Sequence, residues 1–249
     1  MAESIGVGVV GLGSMGYGMA QSLLRAGHRT HGFDVVPAQE ARLRDEGGAA
    51  GPLAEVADRL DALVVVVLNA AQTEAVLFGP AGAVPALRRG AVVVACATVA
   101  PDFARAMEAR CAEAGVLYLD APISGGAARA AAGTLSVMAS GTPAAFAAAE
   151  PVLAACAATV FRLGDAAGAG SAMKAVNQLL AGVHIAAMAE ALTFGMTQGV
   201  APAKFAAPIA AAALQQFLAA SGSGLGREDD AAVAKVYARN AGLTLPGEG

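Results

Sequence analysis

The stretch Gly11-Leu12-Gly13-Ser14-Met15-Gly16 decides how the first half of this chain folds. It follows an apolar run, Ile5–Val10, that is typical of a buried strand, and it leads into Met15–Ala26, whose pattern predicts a helix. Glycines at this spacing between a strand and a helix are the signature of a dinucleotide-binding turn. They permit a tight turn and let the backbone approach a pyrophosphate, which the helix N-terminus then stabilises.

A carboxylate follows the glycine turn at the spacing that a dinucleotide site requires. Asp34 ends the second predicted strand, Thr30–Asp34, 18 residues beyond Gly16. A carboxylate in this place accepts a hydrogen bond from a ribose 2′-hydroxyl and repels a 2′-phosphate. Val35 and Val36 come next, with no arginine to bind such a phosphate, so the sequence favours NAD over NADP. A plain surface aspartate is the alternative interpretation.

Short apolar runs alternate with helical stretches through the first 165 residues, which predicts a parallel sheet covered by helices on both faces. We expect an α/β fold: a Rossmann, doubly wound and mostly parallel sheet over residues 1–165, and then an all-α domain over 166–249 that begins with one long interdomain helix, about Ala169 to Gly199. The remaining predicted strands are Leu63–Leu68, Ala91–Cys96, Val116–Asp120, Leu135–Ala139 and Thr159–Leu163.

Composition excludes several classes of protein. Of the 249 residues, 56% are hydrophobic and 14% charged, and the net charge of −4 argues against a nucleic acid or an anionic membrane as partner. The longest apolar runs have the length of strands, too short to span a membrane. Cys96, Cys111 and Cys156 form no CxxC pair, so we expect neither a disulfide framework nor a metal site. These features and an N-terminus without a basic signal region predict a cytoplasmic protein.

Four motifs in order resemble the β-hydroxyacid dehydrogenases, the family of 3-hydroxyisobutyrate dehydrogenase and tartronate semialdehyde reductase. They are the glycine turn with Leu23–His28, the DAPISGG stretch Asp120–Gly126, the glycine-containing lead Gly164–Lys174, and the KAVNQ stretch Lys174–Gln178. Each motif alone is weak, but their order over about 180 residues is specific. Asn69–Gln72, Val183–Ala186 and Gly226–Asp230 are most similar to the branch that acts on L-threonate.

The resemblance implies a role for each matched residue. Lys174 is the implied catalytic acid/base, and a small hydroxy acid is the implied substrate, oxidised with NAD. The implied substrate-binding residues are Ser124, Gly125, Gly126, Asn177 and Gln178. The implied cofactor-binding residues are Gly11, Leu12, Gly13, Ser14, Met15, Gly16, Asp34, Leu68, Asn69 and Thr98. The family also implies a homodimer or homotetramer, formed through the helical domain.

Elementary chemistry is consistent with a lysine in this role. Removing a hydride from an alcohol carbon requires a base that takes the hydroxyl proton. A lysine serves if burial lowers its pKa, and Gly168–Gly182 contains no other charged residue. Asn177 and Gln178 lie three and four residues further on, so they share a helix face with Lys174. Without the resemblance, a lysine on the surface with its stem packed against the protein would be the default interpretation.

The sequence departs from the family in two places. Ala97 stands where the family often has serine, next to Thr98. After Lys204-Phe205 the chain runs almost at once into Ala206–Pro208, and the Lys-Asp motif that the family carries beyond this point is absent. The helical domain is therefore expected to be shortened near residues 205–208.

Several functions stay open at this point. L-Threonate is the first choice of substrate, followed by tartronate semialdehyde/glycerate and 3-hydroxyisobutyrate. A non-catalytic NAD-binding module would be favoured by the shortening, but the presence of Lys174 argues against it. Lys174 also argues against an imine reductase, and the length of the helical part argues against a 6-phosphogluconate dehydrogenase.

Overall fold

The computed structural model describes residues 4–201, apart from the side chains of residues 185, 188 and 189. The predicted shortening near residues 205–208 and the Gly226–Asp230 motif lie outside the described residues. Strands and helices alternate from the start, as predicted. The helices are α1 Ser14–Arg25, α2 Pro37–Asp45, α3 Leu53–Val56, α4 Ala70–Phe78, α5 Pro101–Glu113, α6 Gly126–Ala132, α7 Pro143–Cys156 and α8 Ala169–Thr197. The strands are β1 Gly6–Val10, β2 Arg29–Phe33, β3 Ala62–Val65, β4 Val92–Ala95, β5 Leu117–Asp120, β6 Ile123–Ser124, β7 Leu135–Ala139 and β8 Ala157–Arg162.

The first five strands form one parallel sheet in the order β2-β1-β3-β4-β5. Strands β2 and β3 pair with opposite edges of β1. The direction in which the strand order grows therefore reverses at β1, and a crevice opens beyond its carboxyl end. The glycine turn lies at this point. The predicted Rossmann fold class with a mostly parallel sheet is confirmed.

The last three strands form a smaller mixed sheet, which the sequence did not distinguish from the first. Its order is β6-β7-β8. Strand β7 pairs with β6 in the antiparallel sense and with β8 in the parallel sense. An antiparallel bridge between Asp120 and Ser140 connects the end of β5 to the residue that follows β7. The chain between β5 and β6 is thereby held against both sheets.

The hydrophobic core has two layers, one on each face of the parallel sheet. Val64 and Val92 pack in one layer, whereas Leu63 and Val93, their neighbours in sequence, pack in the other. Successive side chains of a strand point to opposite faces, so each central strand contributes to both layers. Every residue of β3 and β4 is buried. This burial on both faces explains why these strands appear in the sequence as continuous apolar runs.

Some predicted elements differ from the structure. The run Leu63–Leu68 was expected to be strand throughout, but β3 ends at Val65 and Leu68 is 84% exposed. The chain leaves the sheet there to form part of a pocket wall. Strand β6 and helix α6 were not predicted, because two and seven residues are too few to show a hydrophobic period.

The predicted long helix is confirmed as α8, of 29 residues. The first compact unit of the chain runs to Leu180 and so includes the beginning of this helix. The predicted boundary between residues 165 and 166 stays a prediction. No helix within residues 4–201 combines the length and the apolar character needed to cross a bilayer.

Candidate active site

The three glycines of the turn differ in the space that each leaves for a side chain. Gly11 has a φ of +92°, and a Cβ there would lie 2.3 Å from the carbonyl oxygen of Val66. A Cβ at Gly16 would lie 1.8 Å from the carbonyl oxygen of Gly11. At Gly13, by contrast, a Cβ would meet nothing within 4 Å. Packing within the protein thus explains the first and third glycines, whereas the second leaves room for a ligand.

The N-terminus of α1 is open towards this space. Gly13 is the residue that precedes the helix, and no side chain caps the first turn. The backbone N–H groups of Ser14, Met15 and Gly16 belong to that turn, in which N–H groups have no partner inside the helix. N–H groups of this kind, together with the helix dipole, bind phosphate oxygens. The residues present therefore fit the pyrophosphate of a dinucleotide.

Asp34 supports the glycine turn directly. Its Oδ2 accepts a hydrogen bond from the backbone N–H of Leu12 at 2.6 Å, and its Oδ1 accepts one from Val36 at 2.8 Å. A second carboxylate, Glu40, accepts a hydrogen bond from the Asp34 N–H at 3.0 Å. Two acidic side chains thus lie together at the end of β2. The sequence identified Asp34 but not Glu40, whose only signal was its place in the first turn of α2.

A cavity of about 430 Å³ lies beyond the carboxyl ends of the parallel strands. Segments that follow β1, β3 and β4 contribute to its wall, together with β6 and α8. It brings together ten of the predicted site residues: Gly13, Ser14, Met15, Gly16, Leu68, Thr98, Ser124, Gly125, Gly126 and Lys174. Six of the ten predicted cofactor residues and the predicted catalytic lysine therefore border one cavity.

Five further residues line this cavity that sequence reasoning did not assign to the site: Val66, Val67, Cys96, Ala97 and Ile123. Only their position in the sequence, near the carboxyl end of a predicted strand, could have pointed to a place in the site. Four of them directly follow β3 or β4, and ligands of open α/β sheets bind beyond the carboxyl ends of the strands. The thiol of Cys96 is buried, which raises its pKa and keeps it protonated. It contributes a neutral surface to the wall.

Six predicted site residues do not line the cavity. Leu12 is 1% exposed and packs in the core, and Gly11, the first residue of the turn, packs against the backbone of Val66. Asn69 caps α4, since its side chain accepts a hydrogen bond from the Gln72 N–H. The remaining three are Asp34, Asn177 and Gln178. The functional roles predicted for these six residues stay predictions.

Lys174 is the charged group of the cavity. Its side chain is buried, with 8% exposed, and its Nζ donates a hydrogen bond to the carbonyl oxygen of Ile123 at 2.9 Å. Burial lowers the pKa of Lys174 below its ordinary value. Among the described residues, no other charged side chain lines this cavity. Burial thus favours the neutral form of the amine, which is the form that can accept a proton.

The segment around Ser124 turns sharply beside Lys174. Ser124 ends β6, and Gly125 and Gly126 follow with φ angles of +135° and +75°. Only glycine adopts these two conformations readily. Ser124 and the exposed glycines line the same cavity as Lys174 and directly follow Ile123, whose carbonyl oxygen Nζ contacts. Within the described part of the chain, no group of three or more His, Cys, Asp or Glu side chains is placed to hold a metal ion.

Comparisons with known proteins assign this arrangement to a family. Residues 6–164 match the model of the NAD-binding domain of 6-phosphogluconate dehydrogenase. Residues 168–213 match the NAD-binding model of NADP-dependent 3-hydroxyisobutyrate dehydrogenase. The first match alone covers more than half of the chain.

Curated relatives match over nearly the whole length. L-Threonate dehydrogenase from Cupriavidus necator is 45% identical over 295 positions, which cover 97% of this chain and 98% of the relative. The enzyme of the same name from Escherichia coli K12 is 38% identical, covering 97% and 96%. Both alignments are longer than this chain of 249 residues, so they contain gaps in it. The chain thus lacks residues that these relatives have.

A solved structure agrees with the sequence matches. The crystal structure of a 3-hydroxyisobutyrate dehydrogenase from Salmonella typhimurium superimposes with a TM-score of 0.75 at 38% identity, covering 98% of this chain and 90% of that one. Fold, family models and relatives thus confirm the resemblance seen in the four motifs. The chain belongs to the β-hydroxyacid dehydrogenase family and is an NAD-dependent oxidoreductase of the 3-hydroxyisobutyrate dehydrogenase type.

Proposed function

We propose that this protein oxidises a four-carbon sugar acid of the L-threonate type with NAD, and that Lys174 is the general acid/base. The observation that carries the proposal is the buried Nζ of Lys174 in the wall of the cavity that the glycine turn also borders. Similarity to L-threonate dehydrogenases supports the choice of substrate. Tartronate semialdehyde/glycerate and 3-hydroxyisobutyrate are the alternative substrates.

The proposed chemistry divides between cofactor and protein. NAD accepts the hydride from the alcohol carbon. The neutral amine of Lys174 accepts the hydroxyl proton during oxidation and returns it during reduction. Its hydrogen bond to the Ile123 carbonyl orients Nζ, and burial lowers the pKa of Lys174, which favours the neutral amine. Val66, Val67 and Ile123 contribute apolar surface to the wall of the same cavity.

The substrate carboxylate is proposed to bind at Ser124, Gly125 and Gly126. These residues line the cavity next to Ile123, whose carbonyl holds Lys174. The serine hydroxyl and glycine N–H groups are suitable donors for a carboxylate. Asn177 and Gln178 are proposed to contact the substrate or to orient Lys174, since they follow it on the same helix face.

The cofactor is proposed to be held by Gly11, Leu12, Gly13, Ser14, Met15 and Gly16 at its pyrophosphate, and by Asp34 at its adenosine ribose. Leu68, Asn69 and Thr98 are proposed to contact it further along the crevice. Asp34 and Glu40 together supply two negative charges where NADP would carry its 2′-phosphate. This charge supports a preference for NAD.

An assembly through the helical part of the chain stays a prediction. Apolar side chains of α8 that are at least 43% exposed support it: Met173, Val176, Leu179, Leu180 and Val183. Exposed apolar patches of this kind commonly mark contacts between proteins.

Initial-rate assays of NADH formation with L-threonate, glycerate and 3-hydroxyisobutyrate test the proposed function. We expect L-threonate to give the highest kcat/KM, and Lys174→Met to lower it by roughly two to four orders of magnitude, the usual contribution of a general base. Lys174→Arg is the matched variant, because it keeps the positive charge but cannot become neutral near pH 7. Binding of NAD to each variant, measured by calorimetry, shows whether the cofactor site is intact.

Two results would contradict the proposal. If Lys174→Met or Lys174→Arg retained the activity of the wild type, the lysine would not be the base. If no hydroxy acid were oxidised although NAD bound, the chain would be a non-catalytic NAD-binding module.

A further inference from the structure

Asp120 is a buried carboxylate that the proposed mechanism does not use. It ends β5, only 1% of it is exposed, and it makes no salt bridge among the described residues. A buried charge without a counter-ion is unfavourable unless hydrogen bonds compensate it. Its partners therefore indicate why the fold keeps a carboxylate here.

Within the described part of the chain, the Asp120 side chain accepts four hydrogen bonds, all from the start of α8 or from Ser140. Oδ2 accepts the backbone N–H of Gly168 at 3.0 Å and that of Ser171 at 2.8 Å. Oδ1 accepts the Ser171 hydroxyl at 2.7 Å, and the Ser140 hydroxyl donates to Oδ2 at 3.2 Å. Ser140 Oγ in turn accepts the Gly170 N–H at 2.9 Å. Three N–H groups of the first turn of α8 thus find their partners on Asp120 and Ser140, and the carboxylate faces the positive end of the helix dipole.

Close packing fixes the helix start at the same point. A Cβ at Gly170 would lie 2.4 Å from the carbonyl oxygen of Met138 and 2.8 Å from that of Asp120. The helix can approach the two sheets this closely only because residue 170 is glycine. Ser171 is fully buried in this contact. Lys174 lies three residues beyond Ser171, on the same helix face and one turn further along.

The segment that carries Asp120 also binds the terminal Nζ of the Lys174 side chain. Ile123, three residues after Asp120, supplies the carbonyl oxygen that Nζ contacts. Backbone hydrogen bonds fix this segment to both sheets: Asp120 with Ser140, Ala121 with Ala95, and Met138 with Pro122. The segment 120–123 therefore fixes both the first residues of α8 and the position of the Lys174 Nζ.

We propose that Asp120 is a positioning residue for Lys174: its carboxylate anchors the first turn of α8 and thereby holds Nζ in the cavity wall. This inference rests on the proposed function of Lys174. It gives Asp120, the first residue of the DAPISGG motif, a role in holding α8, whereas the resemblance implied substrate binding for Ser124, Gly125 and Gly126 of this motif.

Replacements of Asp120 test the proposal by separating hydrogen bonding from charge. Asp120→Ala removes every acceptor, so the helix start can shift. We expect kcat and kcat/KM to fall together by roughly a hundredfold, the effect of about 1 Å of misplacement, while the KM for NAD stays within about twofold. Asp120→Asn keeps one oxygen for the Gly168 and Ser171 N–H groups and can donate to the Ser171 hydroxyl. We expect it to retain activity within about tenfold of the wild type.

A cap on another helix provides the matched control. The Thr142 hydroxyl accepts the Ala145 N–H at 3.1 Å and caps α7, and Thr142 does not line the cavity. Thr142→Ala should lower thermal stability without changing kcat. If Asp120→Ala lowered kcat no more than Thr142→Ala does, or only in proportion to the folded fraction, the positioning role would be refuted.

The reactivity of the Lys174 amine provides a readout that does not depend on turnover. Reductive methylation at a series of pH values, quantified on the Lys174 peptide by mass spectrometry, gives the midpoint at which the amine becomes neutral. In Asp120→Ala we expect this midpoint to rise towards that of an ordinary lysine, because a displaced Nζ regains water. Loss of the Asp120 charge alone would lower the midpoint instead.

An unchanged or lowered midpoint in Asp120→Ala would therefore overturn the proposal. Cys96 is the only other titratable side chain that lines the cavity within the described residues, and Cys96→Ser shows whether it contributes to the profile. If the wild type oxidised no hydroxy acid, the proposed function would fail, whereas the labelling midpoints would still decide whether Asp120 positions Lys174.

Discussion

Gly13→Ala should separate cofactor binding from folding. The φ and ψ of Gly13, −66° and −170°, are accessible to alanine, and a Cβ there meets nothing within 4 Å. Replacing glycine by alanine stabilises the folded protein by about 0.4–1 kcal/mol, because it lowers the conformational entropy of the unfolded chain. Alanine is, however, a poorer N-cap residue than glycine by a similar amount. The free energy of unfolding should therefore change by less than about 1 kcal/mol, and Tm by less than about 4 °C.

The same methyl group should weaken NAD binding, because it occupies the space that the pyrophosphate needs. We expect Kd for NAD to rise at least about tenfold, which corresponds to about 1.4 kcal/mol. Isothermal titration calorimetry measures Kd, and thermal unfolding without cofactor measures Tm.

Two other glycines serve as controls. Gly16→Ala would place its Cβ 1.8 Å from the Gly11 carbonyl oxygen, so it should destabilise the fold itself. Gly164→Ala, whose nearest atom is the Ala169 Cβ at 3.7 Å, should change neither quantity. If Gly13→Ala bound NAD as tightly as the wild type, the open space at Gly13 would not be the pyrophosphate site. A large loss of Tm in Gly13→Ala would show instead that this glycine is structural.

Two further predictions concern cofactor choice and pH. Asp34→Asn keeps an oxygen for the Leu12 N–H but removes the charge, so the ratio of Kd for NAD to Kd for NADP should rise about tenfold in binding titrations. Glu40→Gln should shift this ratio less, and an unchanged ratio in Asp34→Asn would contradict the role of the Asp34 charge. Because burial lowers the pKa of Lys174 and only the neutral amine accepts a proton, kcat/KM for oxidation should rise with pH and level off below the range of an ordinary lysine. In Lys174→Arg this rise should be absent, and a rise that persisted there would have to come from another group.

The sequence predicted the elements that have a strong local signal. The glycine turn, the alternation of strands and helices, and the long uninterrupted helix each follow from short-range rules of sterics and hydrophobic period. The strands predicted near β7 and β8 also exist, but their separation into a second sheet did not follow from any local pattern. Strand pairing depends on contacts between distant residues, which one sequence does not display.

Lys174 and the Ser124–Gly126 turn were singled out by the family resemblance, with which the chemistry of a base and of a carboxylate site is consistent. Both line the cavity. Val66, Val67 and Ile123 were missed, because an apolar residue in a cavity wall has the same sequence signal as one in the core. Asp120 was noticed only as part of a motif. Its contacts with Gly168 and Ser171 join residues that are 48 and 51 positions apart.

Among the described residues, Lys174 is the one charged side chain in the cavity wall, so binding of a charged ligand is coupled to the protonation of this amine. A carboxylate that enters the cavity favours the ammonium form of Lys174, so an anionic substrate raises the pKa of the group that must later accept its proton. Binding then draws a proton from solvent, and oxidation requires that proton to leave again. Affinity and turnover therefore depend on pH in opposite senses, and the tightest binding should occur at a lower pH than the fastest oxidation.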